Sequence, residues 1–235
     1  MRFNLLFLLL FIGIISLNGQ DTINKTDANG RKQGFWRKTG KEGKKIYEGR
    51  FRNGKPIGEF KYFYPDGKIQ AITKIIPKND RAETVTYFEN GKKNAEGHYL
   101  HQKRDSTWRF YSEVDGALIS EEIYKDGKKE GISKNYYPEG GISETATWKN
   151  GMKEGRWNIL MPDGKPNHSF NYNINEKECA VKCYHPNGKL WFAGHYVNGN
   201  PSGTWVYFDN KGIARKKEYY EKGQVIKVDS TFQTK

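Results

Sequence analysis

Short apolar and aromatic runs alternate with polar turn sequences along the chain after its first thirty residues. The stretches between turns are about 7 to 10 residues long, which is a normal strand length, and none sustains a helical period. Many turns carry Asn-Gly or Asp-Gly, which favour the positive φ angles of type I′ hairpins. The pattern therefore predicts an all-β chain that repeats strand, turn, strand, turn.

One unit of about 24 residues occurs eight times in this pattern. The copies begin at Gly34, Gly58, Ala82, Ser106, Gly131, Gly155, Cys179 and Gly203, and positions within a copy are counted from these residues as position 0. One spacing is longer by a single residue, which falls in a turn around Asp115, so the strand register is kept. Turn glycines recur at positions 9 and 20. Repetition at this period predicts an array in which each copy packs on its neighbours.

The copies resemble MORN repeats, and more closely the bacterial MORN-variant repeat of the form GxWxxYxxxGxxxxxxxYxNGxxxG. The resemblance rests on segments such as FRNGKPIGEF from Phe51, WKNGMKEGRW from Trp148 and YVNGNPSGTW from Tyr196. It covers residues 29–224 and implies an elongated, single-layer, twisted antiparallel sheet of about eight consecutive β-hairpins without an enclosed core. It also implies antitoxin-like, scaffolding or membrane-associated roles, although a fold alone does not fix function.

Two copies depart from the repeat pattern. The third copy, from Ala82, lacks the leading glycine and the Trp, and the sixth reads NYNINEK where the second glycine turn is expected. We therefore expect a different loop in that hairpin.

Aromatic residues occupy two fixed positions of the copies. Hydrophobic residues make up only 35% of the chain and the mean hydropathy is −0.90, which fits an open sheet, yet aromatics reach 14%. Position 17 holds Phe51, Ile75, Tyr99, Tyr124, Trp148, Tyr172, Tyr196 and Tyr220; position 5 holds Thr39, Phe63, Tyr87, Tyr111, Tyr136, Leu160, Tyr184 and Phe208. We expect these two ladders to stack across the sheet and to replace part of a core.

The N-terminus is typical of a secretory signal peptide. Arg2 precedes an apolar run from Leu5 to Ile15 that is short for a membrane span. We predict a signal peptide at 1–19, a linker at 20–28, the repeat array at 29–225 and a C-terminal tail at 226–235; an uncleaved anchor is the alternative. No Cys follows the apolar run, so a lipobox is not supported. The protein is expected to be exported, to the periplasm, the outer surface or the medium.

The two cysteines, Cys179 and Cys183, lie four residues apart on one predicted strand. Their Cα atoms should be about 13 Å apart, whereas a disulfide needs less than about 7 Å. We expect two free, poorly reactive thiols, with an intermolecular bridge as the lesser alternative. The spacing of His185 and His195 fits no common zinc motif, so neither a metal nor another cofactor is expected.

Positive charge has an ordered component. Arg2 is the only charged residue of the predicted signal peptide, so the mature chain keeps 39 basic and 27 acidic residues, a net charge of +12. Position 3 is basic in five copies, on the same sheet face as position 5. This predicts a binding face formed by Arg37, Lys61, Arg109, Lys134, Lys182, Phe63, Tyr87, Tyr111, Tyr136 and Tyr184. The alternative is that these charges only keep an open sheet soluble.

The sequence predicts binding rather than catalysis. The acidic residues are scattered and no GxSxG, HExxH or P-loop motif occurs. We expect a non-enzymatic protein that binds a protein partner through its extended sheet face. The alternative is a binder of the cell envelope, that is, of anionic lipid or glycan. No nucleic-acid module is visible, so a nucleic-acid partner is not expected.

Overall fold

The computed structural model describes residues 22–173 and 177–230, which form a single antiparallel sheet of 19 strands. The strands are β1 (Lys25–Thr26), β2 (Lys32–Thr39), β3 (Lys45–Arg52), β4 (Lys55–Phe63), β5 (Ile69–Ile76), β6 (Arg81–Tyr87), β7 (Lys93–Leu100), β8 (Lys103–Tyr111), β9 (Leu118–Lys125), β10 (Lys128–Lys129), β11 (Gly131–Tyr136), β12 (Ile142–Lys149), β13 (Met152–Leu160), β14 (Pro166–Tyr172), β15 (Glu178–Tyr184), β16 (Leu190–Val197), β17 (Asn200–Phe208), β18 (Ala214–Glu221) and β19 (Gln224–Asp229). Two short 3-10 turns lie at Lys41–Gly43 and Pro77–Asn79. The predicted fold of consecutive hairpins in one layer is confirmed.

Each strand pairs with the strand that follows it in the chain, except that β10 and β11 both pair with β9. The sheet extends beyond the predicted array, since β1 lies in the predicted linker and β19 continues to Asp229. The predicted signal peptide, residues 1–19, lies outside the described residues. The described residues contain no helix that is long and apolar enough to cross a membrane.

The second turn of most copies has the predicted geometry. Asn53 and Gly54 have φ angles of 51° and 78°, as the two central residues of a type I′ turn require. Arg52 pairs directly with Lys55, so the loop has only these two residues. The turn between β7 and β8 keeps the same geometry with His101 and Gln102, whose φ angles are 48° and 63°.

The leading glycine marks a shift in strand register. Between β3 and β4, Arg50 pairs with Ile57 and Glu48 with Lys61, so β3 advances by two residues while β4 advances by four. Gly58 lies in this irregularity with φ of 69°. The same shift occurs between β7 and β8, β12 and β13, and β16 and β17. A position of positive φ explains why the copies begin with glycine.

The two departures in the sequence have one structural cause. Copies three and seven begin with Ala82 and Cys179, and their first strands pair with the preceding strand without any register shift. Between β5 and β6, Ile76 pairs with Arg81, so four residues form the loop instead of two. In the other hairpins the register shift takes up two extra residues of one strand. Here those two residues lie in the turn instead, so the repeat length is preserved. The different loop predicted for the sixth copy falls on residues 174–176, which lie outside the described residues.

The rings at position 2 lie over glycines of the preceding copy. A Cβ atom built on Gly97 would be 2.4 Å from the Trp108 ring, and one on Gly194 would be 2.1 Å from the Trp205 ring. Trp108 is 1% exposed and Trp205 is 4% exposed. These rings are buried in a single-layer sheet because the neighbouring strand has no side chain to hold them away from its backbone.

Large and small side chains alternate at these contacts with a period of two copies. Where position 15 is Gly or Ala, position 2 of the next copy is a large aromatic; where position 15 is larger, the next position 2 is smaller. The pairs are Gly49 with Phe60, Thr73 with Thr84, Gly97 with Trp108, Glu122 with Ser133, Ala146 with Trp157, Phe170 with Val181, and Gly194 with Trp205. The structural unit is therefore two copies, although the sequence repeat is one.

The expected stacking of the aromatic ladders is corrected by the structure. Residues at the same position of successive copies lie two strands apart, or about 10 Å, so their rings cannot stack directly. The position 17 rings instead contact the rings at position 2: Tyr99 and Trp108 have centroids 5.0 Å apart, as do Tyr196 and Trp205. Positions 2, 15 and 17 form what we call the aromatic face. Positions 3, 5 and 14 lie on the opposite, polar face.

Candidate binding face

The ten predicted binding residues all lie on the first strand of a copy, on the polar face. They are Arg37 on β2, Lys61 and Phe63 on β4, Tyr87 on β6, Arg109 and Tyr111 on β8, Lys134 and Tyr136 on β11, and Lys182 and Tyr184 on β15. The structure brings four of them close together in the middle of the sheet, on β8 and β11.

Two carboxylates join these central residues into a network. Arg109 Nε lies 2.8 Å from Glu121 Oε1, and the Tyr136 hydroxyl donates to Glu121 Oε2 at 2.8 Å. The Tyr111 hydroxyl donates to Glu96, which also accepts from Lys93. We call Glu96, Arg109, Tyr111, Glu121 and Tyr136 the tyrosine–carboxylate network.

The network changes the acidity of its members. Burial, followed by the hydrogen bond to Glu96, raises the pKa of Tyr111 to about 12. The Tyr111 hydrogen bond, followed by that of Lys93, lowers the pKa of Glu96. The Tyr136 hydrogen bond is the main cause of the lowered pKa of Glu121. These shifts mean that the carboxylates are ionised and the tyrosines neutral at physiological pH.

The other basic residues have different surroundings. Arg37 Nε lies 3.3 Å from Glu48 Oε2, and Lys61 Nζ lies 3.5 Å from Glu59 Oε1 in a largely exposed pair. Lys182 instead has Ser169 and Ala193 as its neighbours across the adjacent strands. Carboxylates therefore partly neutralise the basic residues at position 3 toward the N-terminal end of the sheet. These residues do not form a continuous cationic surface.

Sequence reasoning missed the acidic partners. Glu48, Glu96 and Glu121 occupy position 14 of copies one, three and four, directly across from the basic residues of position 3. Aligning the copies, which shows the basic residues at position 3, also shows these acidic residues at position 14. The signal is weak because position 14 is acidic in only three copies and most other acidic residues are scattered through the turns.

A second missed set lies on the aromatic face. Cations at position 22 lie over the rings of this face, which gives favourable cation–π contacts. Arg104 lies 4.5 Å from the Trp108 ring centroid, and Lys153 Nζ lies 3.5 Å from that of Trp157. Lys32 and Lys129 make similar contacts. Part of the excess positive charge therefore covers aromatic surface.

Exposed isoleucines lie beside the network, on the same face. Ile132 is 53% exposed and Ile123 is 39% exposed. The end of the Ile123 side chain lies 3.6 Å from the position of a Cβ built on Gly131, the residue before Ile132, and Thr107 on β8 and Thr147 on β12 pair with Ile123 and Ile132. We call these four residues the central patch. The patch is a row of two isoleucines and two threonines on four strands, and the tyrosine–carboxylate network borders it.

The cysteines lie on the aromatic face of β15. Cys179 is 6% exposed and Cys183 is 1% exposed, and both thiols are free. Burial raises the pKa of each thiol, which makes them poor nucleophiles. The Cys183 sulfur lies 3.2 Å from His168 Nε2 on the adjacent strand. The prediction of two free, unreactive thiols agrees with this geometry.

A shallow cleft of ≈ 490 Å³ lies beside Tyr184 at the turn edge of the sheet. It is lined by Tyr184, Met161, Asn167, His185, Pro186 and Trp191. Trp191 is 48% exposed, and its ring centroid lies 5.7 Å from that of His185. Tyr184 therefore borders a concave surface, whereas the central residues border a flat one.

Comparisons with known structures give weak matches. A GtfA/B complex is 11% identical with a TM-score of 0.28, and the match covers 40% of this chain and 18% of that chain. The Photorhabdus luminescens Tc holotoxin pore is 11% identical with a TM-score of 0.21, covering 86% and 14%. A porin-like protein from Bacteroides uniformis is 8% identical with a TM-score of 0.26, covering 83% and 92%. No curated protein sequence matches the chain.

The family comparison agrees with the repeat register. The MORN repeat variant matches residues 56–74, 82–101, 129–150 and 180–198. Each match spans a hairpin or the greater part of one in the sheet described above. These matches show that the array contains repeats of the MORN variant in four separate parts of the chain.

Proposed function

We propose that this chain is an exported, non-enzymatic repeat protein that binds a protein partner, in an antitoxin-like or scaffolding role, through its polar face. The observation that carries the proposal is the central patch, in which Ile123 and Ile132 are both exposed on the polar face in the middle of a sheet. Export is supported by the N-terminal sequence, with its single Arg2 and apolar run.

The surroundings of the patch resemble those of a protein interface. The apolar centre is bordered by Arg109, Tyr111 and Tyr136, and Arg and Tyr are residue types enriched where proteins bind each other. The hydrogen bonds within the network hold these side chains in fixed positions. Less conformational entropy is therefore lost when a partner binds.

The flat geometry favours a macromolecule over a small ligand. Small-molecule sites are concave and bury most of their ligand, whereas the central patch lies on adjacent strands of one layer. The ion pairs of Arg37 and Arg109 also leave less cationic surface for an anionic lipid or glycan. We therefore favour a protein partner over the envelope-binding alternative.

Capture from the protein's own cell envelope tests the proposal. The wild-type protein is expected to retain a partner saturably, and the Ile123→Lys/Ile132→Lys variant is expected to lose at least nine-tenths of it. Val114→Lys is the matched control, because Val114 is 86% exposed in a turn outside the patch. Equal capture by all three proteins would refute the role of the patch.

Cosedimentation with anionic vesicles distinguishes a protein partner from the alternative, which is binding to an anionic lipid surface. Binding that falls steeply with salt, and that the isoleucine variant leaves unchanged, would favour a lipid surface instead of a protein. Circular dichroism of each variant shows whether the sheet is intact, so that loss of binding is not confused with unfolding.

A further inference from the structure

The two ends of the sheet differ in how their edges are protected. At the N-terminal end, β1 covers the start of β2, and the backbone of Asn24 donates to Phe35 O. The Asn24 side chain then donates to Arg37 O and accepts from Arg37 N. These contacts satisfy the outer backbone groups of β2, which is how natural proteins prevent unwanted strand pairing.

The C-terminal end lacks comparable cover. β19 is six residues long and pairs with β18 on one side. Within residues 22–173 and 177–230, no strand pairs with its other side. Val225, Ile226 and Val228 are 47%, 63% and 53% exposed. A long edge strand with exposed β-branched side chains is a template for pairing with another strand.

We propose that β19 pairs antiparallel with β19 of a second copy of this chain, which joins two sheets end to end about a twofold axis. The argument rests on the charge order of the strand. Lys227 and Asp229 are two residues apart and so lie on the same face. With Val228 on the axis, Lys227 of each copy lies opposite Asp229 of the other, and two complementary cross-strand pairs form.

The apolar side chains fit the same register. β19 has a register shift at Ile226 and is regular from Lys227 to Asp229, and in this regular part Val228 of one copy lies opposite Val228 of the other. An isologous contact of this kind closes after two copies, because the edge is used up and the covered N-terminal edge cannot extend the sheet. The pairing therefore predicts a dimer rather than a fibre.

A charge-reversal experiment on the full chain tests this pairing. Sedimentation equilibrium of the wild type is expected to give a dimer that dissociates on dilution. Lys227→Asp places two acidic residues opposite two acidic residues, and we expect its dimer dissociation constant to rise at least tenfold. Asp229→Lys places lysines opposite lysines and should have the same effect.

Mixing the two variants is the decisive step. A copy with Asp at 227 and 229 is complementary to a copy with Lys at both, so the mixture is expected to dimerise at concentrations where each variant alone is mostly monomeric. Asp229 also lies opposite Lys217 within the chain, whereas Lys227→Asp leaves that cross-strand pair intact. Thermal unfolding of each variant shows whether the folded state survives.

Three results would overturn the proposal. These are a wild type that stays monomeric at all concentrations, a Lys227→Asp variant that dimerises like the wild type, or a mixture that stays monomeric. Val114→Lys is the control, since it changes an exposed side chain in a turn outside both β19 and the central patch and should leave the mass unchanged. If β19 instead paired with an unrelated strand, mixing the two variants would not restore dimer formation.

Discussion

At the scale of single residues, glycines at position 15 let aromatic rings lie against the neighbouring backbone. Gly97→Ala should lower the free energy of unfolding by about 1 to 3 kcal/mol, because the new methyl group would overlap the buried Trp108 ring. Urea unfolding measures the change. Gly40→Ala is the control: its Cβ would lie 3.3 Å from the flexible end of Ile46 and 3.9 Å from Lys44 O, so a stabilisation of about 0 to 1 kcal/mol is expected.

The Gly40→Ala control also corrects for a second effect, which acts through the unfolded chain. Replacing glycine with alanine stabilises a protein through the unfolded chain by about 0.4 to 1 kcal/mol. Both variants contain this term, since neither Gly97 nor Gly40 has a positive φ. Equal unfolding free energies for the two variants would contradict the packing argument.

The tyrosine–carboxylate network should make stability depend on pH. Because the folded pKa of Glu96 lies below its ordinary value of 4.5, its contribution is present above pH 4.5 and is lost as pH falls through the folded pKa. The pKa of Tyr111 is raised from 10 to about 12, so its contribution is present below pH 10 and is lost as pH rises through about 12.

Tyr111→Phe tests this pH dependence. The variant should lose about 1 kcal/mol of unfolding free energy at pH 7, a modest figure because Glu96 is partly exposed to solvent. The difference from the wild type should shrink at pH 3. Tyr137→Phe is the control, since the Tyr137 hydroxyl donates to the backbone oxygen of Leu160, which does not titrate. A loss at Tyr111 that is equal at pH 3 and pH 7 would contradict the role of Glu96.

At the scale of the hairpin, the turn between β7 and β8 has unfavourable residues for its geometry. Gln102 has φ of 63°, where a residue with a side chain is strained and glycine is not. Gln102→Gly should therefore raise the free energy of unfolding by about 0.5 to 1 kcal/mol. Gln102→Ala removes the side chain without relieving the backbone. If both variants were equally stabilised, the φ angle would not be the cause.

Most of the hairpin pattern could be predicted from the sequence, since the Asn-Gly and Asp-Gly dipeptides fix local φ angles. The compensation in copies three and seven could not. Ala82 reads as an isolated departure in copy three, but its meaning depends on the length of the preceding turn. The strand register couples the length of the turn to the residue at the start of the next strand. This coupling cannot be recognised from the residues at either place alone.

The candidate face was predicted only in part, for a similar reason. The basic and aromatic residues share a face because alternation along one strand is a local property. Whether Arg109 is available to a ligand depends on Glu96 and Glu121, which lie on the two neighbouring strands. The exposed pair of Ile123 and Ile132 depends in the same way on pairing between copies.

At the scale of the whole molecule, the two-copy period determines which parts of the array can be joined. Deletion of 131–154 removes one copy and brings Glu122 against Trp157, whereas deletion of 106–154 removes two copies and brings Gly97 against Trp157. Both deletions join a two-residue turn to the same leading glycine. They differ mainly in the side chain that faces the ring.

We expect the longer deletion to be the more stable protein, although arrays usually lose stability as copies are removed. In the shorter deletion, Glu122 would lie under the indole of Trp157, which costs about 1 to 3 kcal/mol in overpacking alone. Thermal unfolding followed by circular dichroism compares the two proteins. Gly97→Glu in the longer deletion should cancel its advantage. If stability instead followed the number of copies retained, the contacts between position 15 and position 2 would not set the structural unit of this sheet.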